Sequence, residues 1–205
     1  MLKIYLARHG QDRDNERKIL NGRRNEPLTA KGIEQANEVA GKIKDTKIRF
    51  DHIYASPLQR AYKTAEIITD TLGISKPEIM EDLIERDFGI MMGESQSAIE
   101  ELCSPDILQT DTVCYFLNPK GAETFPELID RAKRILSMLE DKHKNGNILL
   151  VGHGDIRKMI YAAYYSLNWE DVLRMFHFGN SELLELSEES SPDQTHIFEI
   201  QQYNL

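Results

Sequence analysis

Leu6-Ala7-Arg8-His9-Gly10-Gln11-Asp12-Arg13-Asp14-Asn15 closes a short apolar run, Leu2-Lys3-Ile4-Tyr5-Leu6-Ala7, that is rich in β-formers and bounded by Gly10. The run predicts a strand. The polar, turn-like residues after Gly10 predict that the chain leaves the sheet at that point. Arg8 and His9 then sit at the strand's C-terminal end, the edge at which open α/β sheets place their ligands. An isolated Arg-His-Gly is equally a surface pair without a role, so the rest of the chain decides the reading.

Working outward, strands and helices alternate. Thr29 is placed to cap a helix in which Ile33, Ala36, Ala40 and Ile43 recur at helical spacing. Phe50 to Ala55 reads as a second strand. Ser56-Pro57 then starts a helix with Leu58, Ala61, Ala65, Ile68 and Leu72 on one face and Gly73 as its stop. Thr124-Phe125-Pro126-Glu127 is a capping box with a proline in the first turn, followed by Leu128, Ala132, Ile135 and Leu139. Ile148-Leu149-Leu150-Val151 is continuously apolar, as a strand buried on both faces is. A helix carrying Met159, Ile160 and Ala163 follows, and Glu182 to Leu186 and His196 to Ile200 read as late strands, possible sheet edges. This alternation predicts an α/β fold with a mostly parallel sheet and helices on both faces, spanning residues 1–205 as one domain. Residues 94–119 fit the rhythm least. They are acidic, poorly periodic and hold both cysteines, and they read as an inserted lobe or lid over the sheet edge.

The chain has 205 residues, 40% of them hydrophobic and 29% charged, with a net charge of −9. That charge argues against a general nucleic-acid or membrane-surface role. No charged segment followed by an apolar one, and no long apolar run, points to secretion or membrane spanning, so a cytoplasmic location is expected. Cys103 and Cys114, the two cysteines, lack Cys-x-x-Cys spacing and read as free thiols in a reducing compartment.

The expected strand ends converge. The strand at Ile148–Val151 runs into Gly152-His153-Gly154, and the second strand into Ser56-Pro57-Leu58-Gln59-Arg60. Three neighbouring strand ends then deliver Arg8, His9, Arg60 and His153 to one crevice, where helix N-termini add partial positive charge. Guanidinium forks match phosphate oxygens, so an acidic chain acquires a local anion site. An imidazole with one nitrogen free and the other held as a donor can accept a phosphoryl group. The leaving oxygen needs a proton, and Leu83-Ile84-Glu85-Arg86-Asp87-Phe88-Gly89 offers Glu85 as its donor.

These residues resemble the histidine phosphatase superfamily, in its phosphoglycerate mutase-like branch. The resemblance is carried by Arg8-His9-Gly10 with Asn15, by Pro27 to Ala36 (PLTAKGIEQA), Ala55 to Ala65 (ASPLQRAYKTA), Leu83 to Gly89 (LIERDFG), Gly121 to Thr124 (GAET) and Gly152-His153-Gly154. Each piece alone is weak. In this order, across nearly the whole chain, they are specific. The resemblance implies a three-layer α/β/α sandwich without a metal or other cofactor. It implies His9 as the phosphorylated nucleophile, Arg8, Asn15, Arg60 and His153 as phosphate ligands, and Glu85 as general acid and then base. Gly22, Arg86 and Gly154 join Asn15 as expected substrate contacts, Arg86 for a second substrate charge in preference to the alternative that it pairs with Asp87 or another surface carboxylate. Arg23 and Arg24 read as a solvated loop pair. His52, His143, His177 and His196 lie outside the matched positions and read as structural or exposed. Asn180-Ser181 is either a loop-orienting pair near the site or a turn.

Two departures bear on the activity. No Lys or Arg occurs from Asp87 through Pro119, where the family's mutases carry cations, and Phe88 stands where they carry Tyr. Gln11 also replaces the residue usual after Arg-His-Gly. The expectation is therefore a phosphatase acting on a small phosphorylated metabolite. The alternatives are a cofactor-dependent phosphoglycerate mutase and a catalytically weak phosphate-binding protein on the same fold. Oligomeric state is left open.

Overall fold

In the computed structural model, residues 1–175 and 182–198 are described. The central sheet has the order β3-β2-β6-β1-β7-β8. These strands are β1 (Leu2–Arg8), β2 (His52–Ala55), β3 (Glu78–Ile79), β6 (Gly146–Gly152), β7 (Leu183–Leu186) and β8 (His196–Phe198). The first four in the order run parallel, while β7 and β8 are antiparallel additions at one side.

Period-two alternation in the strands creates two apolar faces. On one face Ile4 and Leu6 of β1 and Ile148 and Leu150 of β6 pack on α5 (Phe125–Lys142), α6 (Gly154–Tyr164) and α7 (Trp169–Met175). On the other, Tyr5, Ala7, Leu149 and Val151 pack on α2 (Ala30–Thr46) and α3 (Gln59–Leu72). The result is the expected α/β/α sandwich. Ile148 to Val151 are fully buried. Each such side chain contributes about 1.5–3 kcal/mol, which explains why this run carries no polar residue.

The expected capping box is present: the Thr124 hydroxyl accepts from Glu127 N, and the Glu127 carboxylate accepts from Thr124 N. Thr29 caps α2 as expected, but Ile33 is 42% exposed, because the buried stripe runs through Gly32, Ala36, Val39, Ala40 and Ile43. The second strand is shorter than expected. Phe50 lies before β2 and packs edge-on to Tyr5. Likewise α3 starts at Gln59 rather than at Ser56-Pro57, and it has no side-chain cap. Of the late strand expected at His196–Ile200, only His196–Phe198 lies within the described residues, as do none of His177, Asn180 and Ser181.

Residues 94–119 contain α4 (Ile99–Cys103) and a small antiparallel ladder of β4 (Ile107–Gln109) and β5 (Cys114–Phe116). Strands of three residues are too short to show alternation, so the sequence pattern missed them. Ile99, Cys103 and Phe116 form a separate apolar cluster with Leu20, Phe88 and Met91.

Register sets the site. Arg8 pairs with Gly152 and Ala55 with Val151. His9 N donates to the Gly152 carbonyl at 3.1 Å, and Ser56 N to that of Val151 at 3.0 Å. The three strand ends therefore lie side by side, as expected.

Gly10 and Gly32 hold the loop after β1 against the first turn of α2. A Cβ on Gly10 would overlap the Gly32 carbonyl, and one on Gly32 would overlap the Gln11 carbonyl. Both obstacles are backbone. Gly41, further along α2, has no heavy atom within 4 Å of its would-be Cβ. The two helix glycines are thus expected to respond with opposite signs. Gly32→Ala should cost about 1–3 kcal/mol from overpacking, and Gly41→Ala should gain about 0.5–1 kcal/mol from helix propensity. Urea unfolding of both variants checks this, and a neutral Gly32→Ala would refute the close approach.

Candidate active site

His9 begins the loop after β1 and is 2% exposed. Its Nδ1 lies 2.6 Å from the Gly10 carbonyl. A carbonyl only accepts, so Nδ1 carries the proton and donates it there. Arg60 Nε donates to His9 Nε2 at 3.2 Å, which is possible only if Nε2 holds a lone pair. The two contacts define one tautomer. Burial, then the charges of Arg60 and Arg8, hold the His9 pKa well below the ordinary histidine value, while the Gly10 hydrogen bond opposes them. The ring is neutral at physiological pH, with Nε2 unprotonated.

The His153 ring lies 5.0 Å from that of His9, centroid to centroid. Its Nε2 shares a 2.7 Å hydrogen bond with Ser56 Oγ, and its Nδ1 is buried without a hydrogen-bond partner among the described residues. Ser56 therefore precedes α3 rather than starting it; its hydroxyl orients His153 and accepts from Leu58 N at 3.3 Å. Burial first, then Arg60, keeps His153 well below the ordinary value too.

Arg60 is fully buried, in the first turn of α3. Besides His9, it donates from Nη1 to the Arg24 carbonyl at 2.6 Å and from Nη2 to the Gly22 carbonyl at 2.8 Å. Its Nε also lies 3.3 Å from Asp12 Oδ2. Gly22, at φ 47°, packs so closely on the Phe88 ring that a Cβ would fall 2.9 Å from it. This expected substrate contact thus meets the site through Arg60, its carbonyl already taken.

Asp12 caps the short helix α1 (Arg13–Glu16), accepting from Asn15 N at 2.9 Å and from Asn21 Nδ2 at 2.6 Å. That helix brings Asn15 to the wall of a cavity of about 120 Å³, which Arg8, Glu85, Arg86, Gly154 and Lys158 also line. Gly154 keeps the space between Arg8 and Glu85 open, since a Cβ there would contact both at 3.8 Å.

Glu85 meets the N-terminus of α6. Its Oε1 accepts from Arg86 N at 2.9 Å and Ile156 N at 3.2 Å, and its Oε2 from Asp155 N at 3.3 Å. Burial, and then the charge of Asp155, raise its pKa; the backbone donors and Arg60 pull the other way without prevailing. Asp155 behaves oppositely. Burial pushes its pKa up, but Arg86 and Lys158 outweigh this, and it stays below the ordinary aspartate value. The pair thus separates into one carboxyl that holds a proton more readily and one that remains ionised.

Arg86, expected to meet a second substrate charge, is committed internally. It is 1% exposed, donates from Nε to Asp155 at 2.9 Å, and donates to the carbonyls of Glu123 and Phe116. Its guanidinium also lies 4.3 Å from the Phe116 ring centre and 4.4 Å from that of Phe125. Arg23 and Arg24 are a partly exposed loop pair, as expected, but each is held by carboxylates. Arg23 bonds the Glu85 carbonyl, Asp87 and Glu123, and Arg24 bonds Asp14 at 2.7 Å. Sequence reasoning did not single out Asp12, Ser56, Asp155 or Lys158. Lys158 carried a usable signal: it lies four residues after Gly154 in a helix, hence on the same face.

With this geometry in place, comparison with known proteins defines the class. The fold is shared with a mycobacterial glucosyl-3-phosphoglycerate phosphatase, which superposes with a TM-score of 0.77 at 21% identity, covering 91% of this chain and 93% of the other. The chain belongs to the histidine phosphatase superfamily (branch 1), whose family model matches residues 4–197. A 2,3-bisphosphoglycerate-dependent phosphoglycerate mutase of Parvibaculum lavamentivorans is 30% identical over 179 residues, 84% of each chain. A phosphoserine phosphatase of Entamoeba histolytica, solved in complex with 3-phosphoglyceric acid, superposes with a TM-score of 0.72 at 27% identity over 90% of each chain.

The carboxyl pair gives a direct test. Asp155→Asn removes the charge that raises Glu85 and releases the Arg86 guanidinium nearby, and both changes favour ionised Glu85. Carboxyl-carbon NMR titration should show a lower Glu85 pKa in the variant; an unchanged or higher value would contradict the coupling.

Proposed function

We propose that the protein hydrolyses small phosphomonoesters through a phosphohistidine formed on His9. The observation that carries this reading is the His9 tautomer. The Gly10 carbonyl fixes the proton on Nδ1, and Nε2 keeps its lone pair toward the Arg60 guanidinium. A phosphate oxygen that takes over the Arg60 donor leaves Nε2 facing phosphorus. Nε2 attacks, the bond to the ester oxygen breaks, and the Gly10 carbonyl stabilises the positive ring that forms. Arg8, Arg60, Asn15 and the Nδ1 of His153 bind the transferring oxygens, each charge-assisted contact contributing about 1.5–3 kcal/mol. Glu85, its pKa raised, gives its proton to the leaving oxygen. As carboxylate it then takes a proton from the water that attacks phosphorus and returns His9 to its starting form.

The pH dependence follows. The depressed His9 pKa keeps the nucleophile unprotonated well into the acid range. The raised Glu85 pKa sets the alkaline limit, where the proton for the leaving group is lost. The arrangement needs no divalent ion to bind the phosphoryl group, and we expect activity to survive EDTA.

The Parvibaculum relative keeps a mutase as the alternative. A mutase must retain a poly-anionic intermediate, yet Asp87 to Pro119 brings no cation and carries Asp87, Glu94, Glu100, Glu101, Asp106 and Asp111. That segment supports release over retention, and hydrolysis over transfer. It is also the stretch we assign as the specificity wall over the site.

Two experiments test the reading. His9→Ala should lose at least about 10³-fold of the turnover, with its circular dichroism unchanged, and rapid quench of the native protein should trap an acid-labile, base-stable phosphate on His9. Substantial turnover by His9→Ala would end this proposal. Glu85→Gln should slow glycerol phosphate hydrolysis by about 10²–10⁴-fold and p-nitrophenyl phosphate hydrolysis much less, because nitrophenolate leaves without a proton. Equal losses on both substrates would assign Glu85 a structural role.

A further inference from the structure

Of the cations that line the cavity, Arg8 serves the phosphoryl group and Arg86 is committed to Asp155, while Lys158 has neither role. Lys158, on α6 one turn beyond Gly154, is 2% exposed and lines the same cavity as Arg8 and Glu85. A lysine is almost never so buried without a charged partner. Its charged neighbour is Asp155, whose ionised form it favours electrostatically, but the Asp155 carboxylate is hydrogen-bonded to Arg86 Nε at 2.9 Å and not to Lys158. Among the described residues, the one hydrogen bond that Lys158 makes runs from Nζ to Tyr115 Oη, at 2.6 Å. Tyr115 is itself buried, and it comes from β5, in the stretch whose charged residues are all acids.

Counting hydrogens shows what this pair can still do. The ammonium has three donors and spends one on Tyr115, so two remain. Tyr115 accepts that bond and retains its own O–H as a donor. Lys158 and Tyr115 therefore form a donor group carrying one positive charge. The neighbouring cavity wall is apolar, with Leu20, Phe88, Ile99 and Val113. A dianionic phosphate would be undermatched by a single ammonium so near Asp155 and Glu85. A carboxylate, with one charge and two acceptor oxygens, matches it. The small cavity, about 120 Å³, limits what connects that carboxylate to the ester oxygen to a short chain.

We propose that Lys158, held by Tyr115, is the specificity-determining residue that binds a carboxylate on the substrate's leaving group, so that short phosphorylated hydroxy or amino acids are preferred. The proposal rests on the phosphomonoesterase reading. It assigns to α6 the cation that the stretch from Asp87 to Pro119 lacks.

The test uses the full chain and two substrates that differ at one group: 3-phosphoglycerate, and glycerol 3-phosphate, in which a hydroxymethyl group replaces the carboxylate. The native protein should favour 3-phosphoglycerate in kcat/KM by about ten- to a hundredfold, the range of one charge-assisted contact. Lys158→Met keeps all but the last atom's length of the side chain without its charge and should collapse that ratio toward one, chiefly through KM. Lys158→Arg should restore part of it. A native protein without preference, or a Lys158→Met variant that keeps its preference, would overturn the assignment while leaving the phosphatase reading intact. If the native protein hydrolyses neither substrate, nor p-nitrophenyl phosphate, the phosphatase reading fails. Calorimetric titration of both ligands into the native protein and Lys158→Met then decides the assignment alone: tighter binding of 3-phosphoglycerate that the variant loses supports it, and equal binding of the two ligands refutes it. Should Lys158→Met not fold, Lys158→Gln supplies the same comparison.

Discussion

Arg8 lies opposite Gly152 in a parallel ladder, and the site inherits that pairing. It places His9 one step beyond one strand and His153 one step beyond its neighbour, with the rings 5.0 Å apart. A slip of one residue would turn each strand's buried side chains to the wrong face. Ile4, Leu6, Ile148 and Leu150 fill one apolar layer, and Tyr5, Ala7, Leu149 and Val151 the other. Neither set can exchange places without loss of burial. The same alternation that stabilises the sandwich therefore aligns the two histidines.

Around those strand ends the protein gathers guanidinium groups in a chain of net charge −9. Buried charges are costly unless paired and hydrogen-bonded, and the pairing is explicit. Arg60 lies on Asp12 and two carbonyls, Arg86 on Asp155 and two carbonyls. Arg131 lies on Glu123 and the carbonyls of Asp82, Ile84 and Glu85, and so fixes from α5 the loop that carries the candidate acid. Asp155 has a second effect: it satisfies Arg86 while its charge raises the Glu85 pKa, so one structural ion pair also adjusts a candidate proton donor.

The sequence disclosed what depends on local pattern. Alternation and capping gave the sandwich, the Thr29 and Thr124 caps, and the strand ends that carry Arg8, His9 and His153. Less was visible wherever a side chain answers to a distant partner. Ser56 looks like a helix start and instead orients His153, 97 residues away. Arg86 looks like a ligand for substrate and instead bonds Asp155, 69 residues away. Gly32 looks like an ordinary helix residue, and only the fold shows that Gln11 leaves no room for a Cβ. Lys158 lies 73 residues from Glu85, and only the fold brings it to the cavity wall, from the helix after His153.

The small ladder of β4 and β5 is divided between two apolar clusters: Phe116 packs with Leu20, Phe88 and Met91, while Leu108 and Tyr115 join the layer that holds Ile4 and Leu150 of the central sheet. The consequence is a division of inheritance. Ile99 lines the cavity from the cluster that stands apart from the sheet, so a substitution there reshapes one wall without touching the layers that fix the strand register, whereas Tyr115 lines the cavity from within one of those layers. The groups at the strand ends have no such freedom, because each is tied to the burial of a layer. A change of cavity wall is therefore open to Leu20, Phe88 and Ile99 without loss of burial in the layers that align the two histidines.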